Sequence, residues 1–266
     1  MGPWSTDETA ARPNVARMYD YWLGGYHNFA VDRAAAEAVI AAHPDVRLMA
    51  RVNRAFVRRV VAVLLARGVD QFLDIGSGLP TQGNVHELVA QATPAARVVY
   101  VDHDPVVVAH SQTLLAGTTT AAAIQADARD PAAILDHPDT RRLLDFTRPV
   151  AVLLCAVLHF LPDAEADGLV RALRTTMAPS SYLALSHGVN DPLPTDVVED
   201  LSVLYARSSA PVSGRTRAQI ERFVAGLDLV PPGIVYLPQW QPSGPDDIFL
   251  DEPARSAYLG GVGRQP

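Results

Sequence analysis

The stretch "QFLDIGSGLPTQGN", residues 71–84, decides how the chain is interpreted. An apolar run ends at Asp74, and the chain then turns through Gly76 and Gly78, which one residue separates. Glycine lets backbone N–H groups approach a ligand closely, and such a turn after a strand is typical of cofactor sites in α/β proteins. The stretch therefore predicts a first β-strand that is followed by a ligand-binding turn.

Short apolar runs alternate with helical patterns after this turn. Further strands are predicted at residues 97–102, 122–127, 149–155, 181–186, 233–237 and 256–263, and later helices at 194–206 and 216–225. Such alternation is typical of βαβ units, in which helices cover both faces of a mostly parallel sheet. The strands are nearly continuous apolar runs, as expected when both faces of a sheet are buried.

Three helical segments precede the first strand, at residues 13–23, 32–42 and 46–67. We expect residues 1–12 to be disordered and residues 13–266 to form one domain. Within it, residues 13–68 make an N-terminal helical cap and residues 69–266 a Rossmann-like core. The chain has no secretory leader pattern and no apolar run long enough for a membrane span, so a cytoplasmic protein is predicted.

Composition excludes several classes of function. The net charge of −7 argues against a nucleic-acid surface, and neither a nucleic-acid nor a membrane partner is expected. All 22 basic residues are arginine, which excludes a Schiff-base lysine and a P-loop lysine. The single cysteine, Cys155, cannot form an intramolecular disulfide or a cysteine-based zinc site, and no metal is predicted.

Acids end the first three predicted strands, at Asp74, Asp102 and Asp127. In an open α/β sheet, ligands bind beyond the carboxyl ends of the strands. A carboxylate after the second strand can accept hydrogen bonds from both hydroxyls of a ribose, which suits either NAD or S-adenosylmethionine (SAM). The third glycine of a dinucleotide motif is missing, and Asp127 suits the exocyclic amine of adenine, so SAM is favoured. Asp74 either orders the glycine turn or meets the amino group of SAM.

The motifs "LDIGSG", "VYVDHDP", "IQADARDP" and "LLCAVLHFLPD" resemble, in order and spacing, those of class I SAM-dependent methyltransferases. A closer resemblance is to a bacterial methyltransferase family common in actinomycetes. It rests on "PNVARMYDYWLGG", "RVNRAF", "FLDIGSGLPTQGNVHE" and "GGVGRQP", and runs from about Pro13 to the C-terminus. The resemblance implies a Rossmann-like class I methyltransferase fold with a seven-stranded, mostly parallel sheet.

Further residues are included in the predicted cofactor site. Beside the glycines and acids these are Ser77, His103, Ala128 and Cys155. On the N-terminal helices, Tyr19 is expected to contact SAM, and Arg54 to meet its carboxylate. His159 follows the fourth strand, where methyl-acceptor chemistry usually lies, and is the candidate catalytic residue. The alternative is that His159 only packs beneath the next helix or lines the pocket.

These predictions converge on transfer of a methyl group from SAM to a small-molecule acceptor, with S-adenosylhomocysteine (SAH) as the other product. For such a reaction the protein mainly has to position the nucleophile and exclude water, and a catalytic triad is not required. One alternative is a SAM-binding sensor without transferase activity, because its cofactor residues would be the same. An NAD-dependent oxidoreductase is the weaker alternative. The chain is expected to act as a monomer or a homodimer.

Overall fold

The computed structural model describes residues 12–80 and 84–266. The disorder predicted for residues 1–12 therefore lies, apart from Arg12, outside the described residues, and Arg12 is placed by its hydrogen bonds to the carbonyls of Ala206 and Arg207. The strands are β1 (Gln71–Ile75), β2 (Arg97–Asp102), β3 (Ala121–Gln125), β4 (Ala151–Cys155), β5 (Tyr182–Gly188), β6 (Asp228–Leu229), β7 (Val235–Tyr236) and β8 (Tyr258–Arg264). The helices are α1 (Val15–Trp22), α2 (Ala30–Ala42), α3 (Val46–Ala66), α4 (Val85–Ala92), α5 (Pro105–Leu114), α6 (Pro131–Leu135), α7 (Pro138–Leu143), α8 (Asp163–Thr176), α9 (Thr195–Ala206) and α10 (Arg217–Glu221).

The strands form one mixed sheet in the order β3-β2-β1-β4-β5-β8-β6, with β7 also paired to β8. The first five strands are parallel, and β8 runs antiparallel to β5. Both β6 and β7 pair with β8, at Gly263–Arg264 and Leu259–Gly260 respectively. Because β5 occupies the other edge of β8, the two short strands share one position. The fold is the predicted class I methyltransferase arrangement, but the described residues form eight strands where seven were predicted, because two short strands take the place of one.

Alternate residues of the parallel strands enter two hydrophobic layers. On one face, Leu73 packs in the layer that contains Leu169 and Leu173 of α8. On the other face, Phe72 packs in the layer that contains Phe56 and Val60 of α3. Side chains of a strand alternate between the faces of its sheet, so the continuous apolar strands serve both layers at once.

Boundaries differ from the predicted ones where local chemistry intervenes. The first helix begins at Val15 because the side chain of Asn14 accepts hydrogen bonds from the N–H groups of Ala16 and Arg17. Between β3 and β4 the chain forms two short helices, α6 and α7, because a residue that precedes a proline, here His137, disfavours the helical conformation. The two-residue strand β6 was not predicted, because two residues are too few for a periodic pattern. None of the helices in the described ranges combines the length and the apolar character that crossing a membrane requires.

The N-terminal helices are joined to the sheet by a buried ionic group. Arg17 of α1, which is 2% exposed, contacts Asp32 of α2 at 2.8 Å and Asp104 at 3.0 Å. Asp104 caps α5 by accepting from the Val106 N–H over 2.7 Å. The three charges have side-chain exposures of 3% or less. Buried charges of this kind must be paired, so Arg17 fixes the helical cap (α1–α3) against the end of β2.

We predict that Arg17→Met destabilises the fold by about 3–5 kcal/mol, because it leaves two buried carboxylates without their partner. The measurement is the free energy of unfolding from urea denaturation. The matched control is Arg47→Met, since Arg47 pairs with Glu37 at side-chain exposures of 49% and 52%. A surface pair of this kind is worth less than about 1 kcal/mol. Equal stabilities of the two variants would contradict the anchoring role.

Candidate functional site

A cavity of about 290 Å³ lies at the carboxyl ends of β1, β2, β3 and β4. Its far wall is formed by α1, by α3 and by the C-terminal end of α9. All twelve residues that the sequence assigned to the site line this cavity: Tyr19, Arg54, Asp74, Gly76, Ser77, Gly78, Asp102, His103, Asp127, Ala128, Cys155 and His159. The fold thus brings together residues that are separated by up to 140 positions in the chain.

The turn after β1 requires its glycines. Gly76 has a φ of +71° and Gly78 a φ of +66°, in the left-handed region where side chains are strained. A Cβ on Gly76 would also lie 2.6 Å from a methyl group of Val157. The Gly76 N–H donates to the carbonyl of Val101 over 2.8 Å, which draws the turn toward β2. The turn therefore lies close against the end of β2, with its backbone along the cavity.

Asp102, at the end of β2, organises this part of the site. Its carboxylate accepts hydrogen bonds from the N–H groups of Gly78, over 2.9 Å, and Asp104, over 3.0 Å. Burial raises the pKa of Asp102, although these backbone donors and His103 act in the opposite direction. The imidazole of His103 is half-exposed, with Nδ1 3.5 Å from Asp102 Oδ1. Since Asp104 caps α5, Asp102 is available to the cavity, as the sequence predicted.

Asp127, beyond β3, is more exposed and is held by its neighbour. The guanidinium of Arg129 donates to both carboxylate oxygens, with Nε 2.9 Å from each of them. These hydrogen bonds lower the pKa of Asp127, so the group is ionised at neutral pH. The helix cap here is Asp130, which accepts from the Ala133 N–H over 3.1 Å. Asp127 is thereby left to face the cavity as a charged acceptor.

Asp74 and Arg54 form the middle of the cavity wall. Burial raises the pKa of Asp74 to about 7, with Arg54 lowering it and Asp102 raising it further. Arg54 lines the cavity, whereas Arg47, Arg51 and Arg58, which recur with it along α3, are exposed. Of this arginine stripe, Arg54 is thus the member that faces the site.

Cys155 is the last residue of β4 and lines the same wall of the cavity. Burial raises the pKa of its thiol, and the carboxyl of Asp74 raises it further. The thiol therefore stays protonated at neutral pH. Cys155 thus gives the cavity a small neutral surface. It is not a nucleophile, because nucleophilic catalysis requires the thiolate form.

Tyr19 enters the cavity from α1 with its hydroxyl already bonded. The hydroxyl donates to the carbonyl of Ala50 over 2.9 Å and accepts from the side chain of Asn53 over 3.0 Å. Asn53 in turn accepts from the hydroxyl of Ser186 over 2.6 Å. This buried series ties the helical cap to β5. The ring of Tyr19, and not its hydroxyl, is the surface that the cavity offers.

His159 is buried in the loop after β4, where its ring packs edge-on against the rings of Phe160 and Tyr258. The Gly188 N–H donates to its Nδ1 over 3.3 Å, which places the hydrogen of the neutral ring on Nε2. Burial lowers the pKa of His159 well below its usual range, and the neighbouring His187 and Arg215 lower it further. The ring is therefore neutral at physiological pH, with a donor and not a free base at Nε2.

Arg215 was missed by the sequence analysis. Its buried guanidinium donates to the carbonyls of Leu158 and Leu161, each over 2.8 Å, and so fixes the loop that holds His159. It also lies 2.9 Å from Nε2 of His187, whose pKa burial lowers to about 4. No local pattern marks Arg215, because the partners named here lie 28 to 57 residues away in the chain. Asn53, Tyr205 and Tyr258, which also line the cavity, went unassigned for the same reason.

Comparison with known proteins agrees with this geometry. The family model described as S-adenosyl methyltransferase matches residues 4–266. A candidate methyltransferase from Thermobifida fusca is 39% identical, with a TM-score of 0.91 and 99% of each chain covered. A DUF574 family protein from Streptomyces avermitilis is 40% identical, with a TM-score of 0.89, and the match covers 97% of this chain and 99% of that one.

A more distant structure is similar in fold alone. It is magnesium protoporphyrin IX methyltransferase from Synechocystis with bound SAH. This protein is 19% identical, with a TM-score of 0.53, and the match covers 83% of the present chain and 87% of that chain. No curated protein gives a significant match.

The family match, together with a fold and a cavity that agree with it, also decides between the two cofactors that the sequence left in competition. SAM is the methyl donor, and NAD is set aside. The chain belongs to the S-adenosyl methyltransferase family and is a SAM-dependent methyltransferase.

Proposed function

We propose that the protein transfers the methyl group of SAM to a small-molecule acceptor that lies between the helical cap and the loop after β4. The main support is the lining of the cavity. It combines acidic side chains, three at the ends of β1, β2 and β3 and Glu165 of α8, with the aromatic side chains of Tyr19, His159, Tyr205 and Tyr258. The acids suit a nucleoside and a cation, and the aromatic side chains suit an uncharged molecule.

The residues present fit SAM. Asp102 would accept hydrogen bonds from ribose hydroxyls, because each of its oxygens retains a lone pair after accepting one N–H. Asp127 would accept from the adenine amine. A Cβ at Gly76 would clash with Val157, so a glycine is needed there for the backbone of the turn to lie along the SAM site. Asp74 and Arg54 offer opposite charges to the ammonium and carboxylate of the methionine part.

Bound SAM supplies a methyl carbon whose bond to the positively charged sulfur breaks as a lone pair of the acceptor attacks, so that the electron pair stays on sulfur and SAH is released. The chain's own contribution is to position the acceptor and exclude water. Tyr19 and Tyr205 close the cavity from α1 and α9. A base is needed only if the acceptor must lose a proton before attack. His159 can assist the transfer by donating a hydrogen bond from Nε2. Because its ring is neutral, it adds no charge that would repel the sulfonium.

We expect SAM to be converted to SAH when the full-length protein is incubated with methyl-labelled SAM and the dialysable fraction of an actinomycete extract. Labelled methyl should appear in a small-molecule product in equal amount, because each transfer releases one SAH. The measurement is chromatography of both products with radiometric detection. Tight SAM binding without SAH formation would instead support the sensor alternative.

We predict that Asp102→Asn weakens SAH binding by about tenfold to a hundredfold, because hydrogen bonds to a charged group contribute about 1.5–3 kcal/mol. The measurement is isothermal titration calorimetry. The matched control is Asp130→Asn, because Asp130 also follows a strand but caps α6 outside the cavity. Asparagine is an equally good N-cap, so this control should keep both affinity and stability. Unchanged affinity in Asp102→Asn would mean that Asp102 serves only the glycine turn.

We also predict that SAM binds more tightly at pH 8 than at pH 6. Asp74 has a pKa of about 7 in the folded protein, so it is mostly protonated at pH 6 and ionised at pH 8. Only the ionised form attracts the cationic cofactor, and the linked rise in affinity is up to about tenfold. Asp74→Asn should remove the rise, while Asp130→Asn should keep it. The same pH dependence in Asp74→Asn and in the wild type would assign it to another group.

A further inference from the structure

A second cavity, of about 90 Å³, adjoins the first. Five described residues line both: Tyr19, Trp22, His159, Tyr205 and Tyr258. Beyond them the second cavity extends between the helical cap and α9, where apolar side chains such as Val39, Met49 and Leu201 surround it. We call this space the inner chamber. It lies on the side of His159 away from the strand-end acids.

The inner chamber has an uncharged lining. Within the described parts of the chain, no aspartate, glutamate or arginine lines it. Its two histidines, His43 and His159, both have pKa values lowered by burial, so neither is charged at neutral pH. A charged group that entered the chamber would lose its hydration without gaining a counter-charge, at a large cost.

Helix α9 covers the chamber and packs against the helical cap only with partly buried side chains, those of Leu201, Leu204 and Tyr205. None of its residues is fully buried, although its sequence contains a regular apolar stripe. Val198, Leu201 and Tyr205 of that stripe line the chamber, while Val203 on another face is 53% exposed. A helix normally buries its apolar stripe against other side chains. Here part of the stripe faces a cavity, and an apolar ligand in that cavity would complete the burial of these side chains.

One polar atom in the chamber lacks a partner. Nε2 of His43 is buried and makes no hydrogen bond within the described part of the chain. A buried polar group without a partner costs free energy, and a ligand hydroxyl would remove that cost because it can donate or accept. Asn190, Ser202 and Ser213 also line the chamber, but among the described lining residues it is His43 whose side chain has a buried atom without a hydrogen bond.

We propose that the inner chamber binds an uncharged, ring-sized apolar molecule whose hydroxyl pairs with His43, and that this molecule is the methyl acceptor. The assignment as acceptor rests on the proposed function, because the chamber borders the cavity of the methyl donor at the five residues that line both, among them His159 and Tyr258. The binding preference itself depends on the lining alone. It can therefore be tested without turnover.

The experiment uses the full-length protein with SAH and four fluorinated rings observed by ¹⁹F NMR. These probes are 4-fluorophenol, 4-fluorotoluene, 4-fluorobenzoate and 4-fluorobenzylammonium, which share a ring and differ in polarity and charge. We expect 4-fluorophenol to bind at least about tenfold more tightly than either ion. We expect it to bind about threefold to tenfold more tightly than 4-fluorotoluene. Binding of either ion as tight as that of 4-fluorophenol, or no binding of any ring, would overturn the proposal.

Two variants locate the binding. Leu201→Trp fills the chamber and should abolish binding of 4-fluorophenol while SAH affinity stays within about twofold. Val203→Trp, on the exposed face of the same helix, is the matched control and should bind the ring normally. His43→Phe keeps a ring but removes the nitrogen, and should erase the preference for 4-fluorophenol over 4-fluorotoluene. Full binding in Leu201→Trp would place the ring elsewhere.

A failure of the proposed function gives a different pattern. If SAM were bound but never converted, the ring preferences would still report on the chamber, and only its role as acceptor site would fall. If the protein did not bind SAH, the ring series on the protein alone would test the chamber by itself.

Discussion

Two backbone N–H groups, those of Gly78 and Asp104, donate to the buried carboxylate of Asp102, and the site is organised around this contact. It ties the turn after β1 to the end of β2. Asp104 extends the connection, because its own carboxylate caps α5 and pairs with Arg17 of α1. The glycine turn, the end of β2 and the helical cap are thus joined through the charges of Asp102, Asp104 and Arg17. We expect a substitution at one of these residues to disturb the other two.

The lining of the cavity combines two kinds of side chain. The carboxyls of Asp74, Asp102 and Asp127 lie at the strand ends, whereas His159 lies in the loop after β4, beside the ring of Tyr258. Burial acts on both kinds in the same direction, since it disfavours charge. It makes Asp74 a group that titrates near neutrality, and it keeps the histidine ring neutral. This combination suits a cationic methyl donor beside the proposed neutral acceptor, and among the described residues no aspartate, glutamate or arginine lines the inner chamber.

The helical cap contributes to both binding and stability. Tyr19, Asn53 and Arg54 reach the cavity from α1 and α3, so the cap is part of the site. The same helices bury Arg17 and Met18. Their removal would therefore expose core as well as open the pocket, and single substitutions separate the two roles better than a deletion would.

The sequence by itself determined the parallel strands and the acids at their ends, because period, glycine placement and residue type are local properties. Asp104 and Asp130, each directly before a proline, also have a local helix-cap pattern, and each accepts an N–H group at the start of its helix. Only the tertiary structure decided which arginine of the α3 stripe faces the cavity, that Arg215 fixes the loop of His159, and that α9 covers a chamber. These outcomes depend on contacts between segments that are distant in the chain, such as the 57 residues between Arg215 and Leu158, and such contacts leave no mark on the pattern of any one segment.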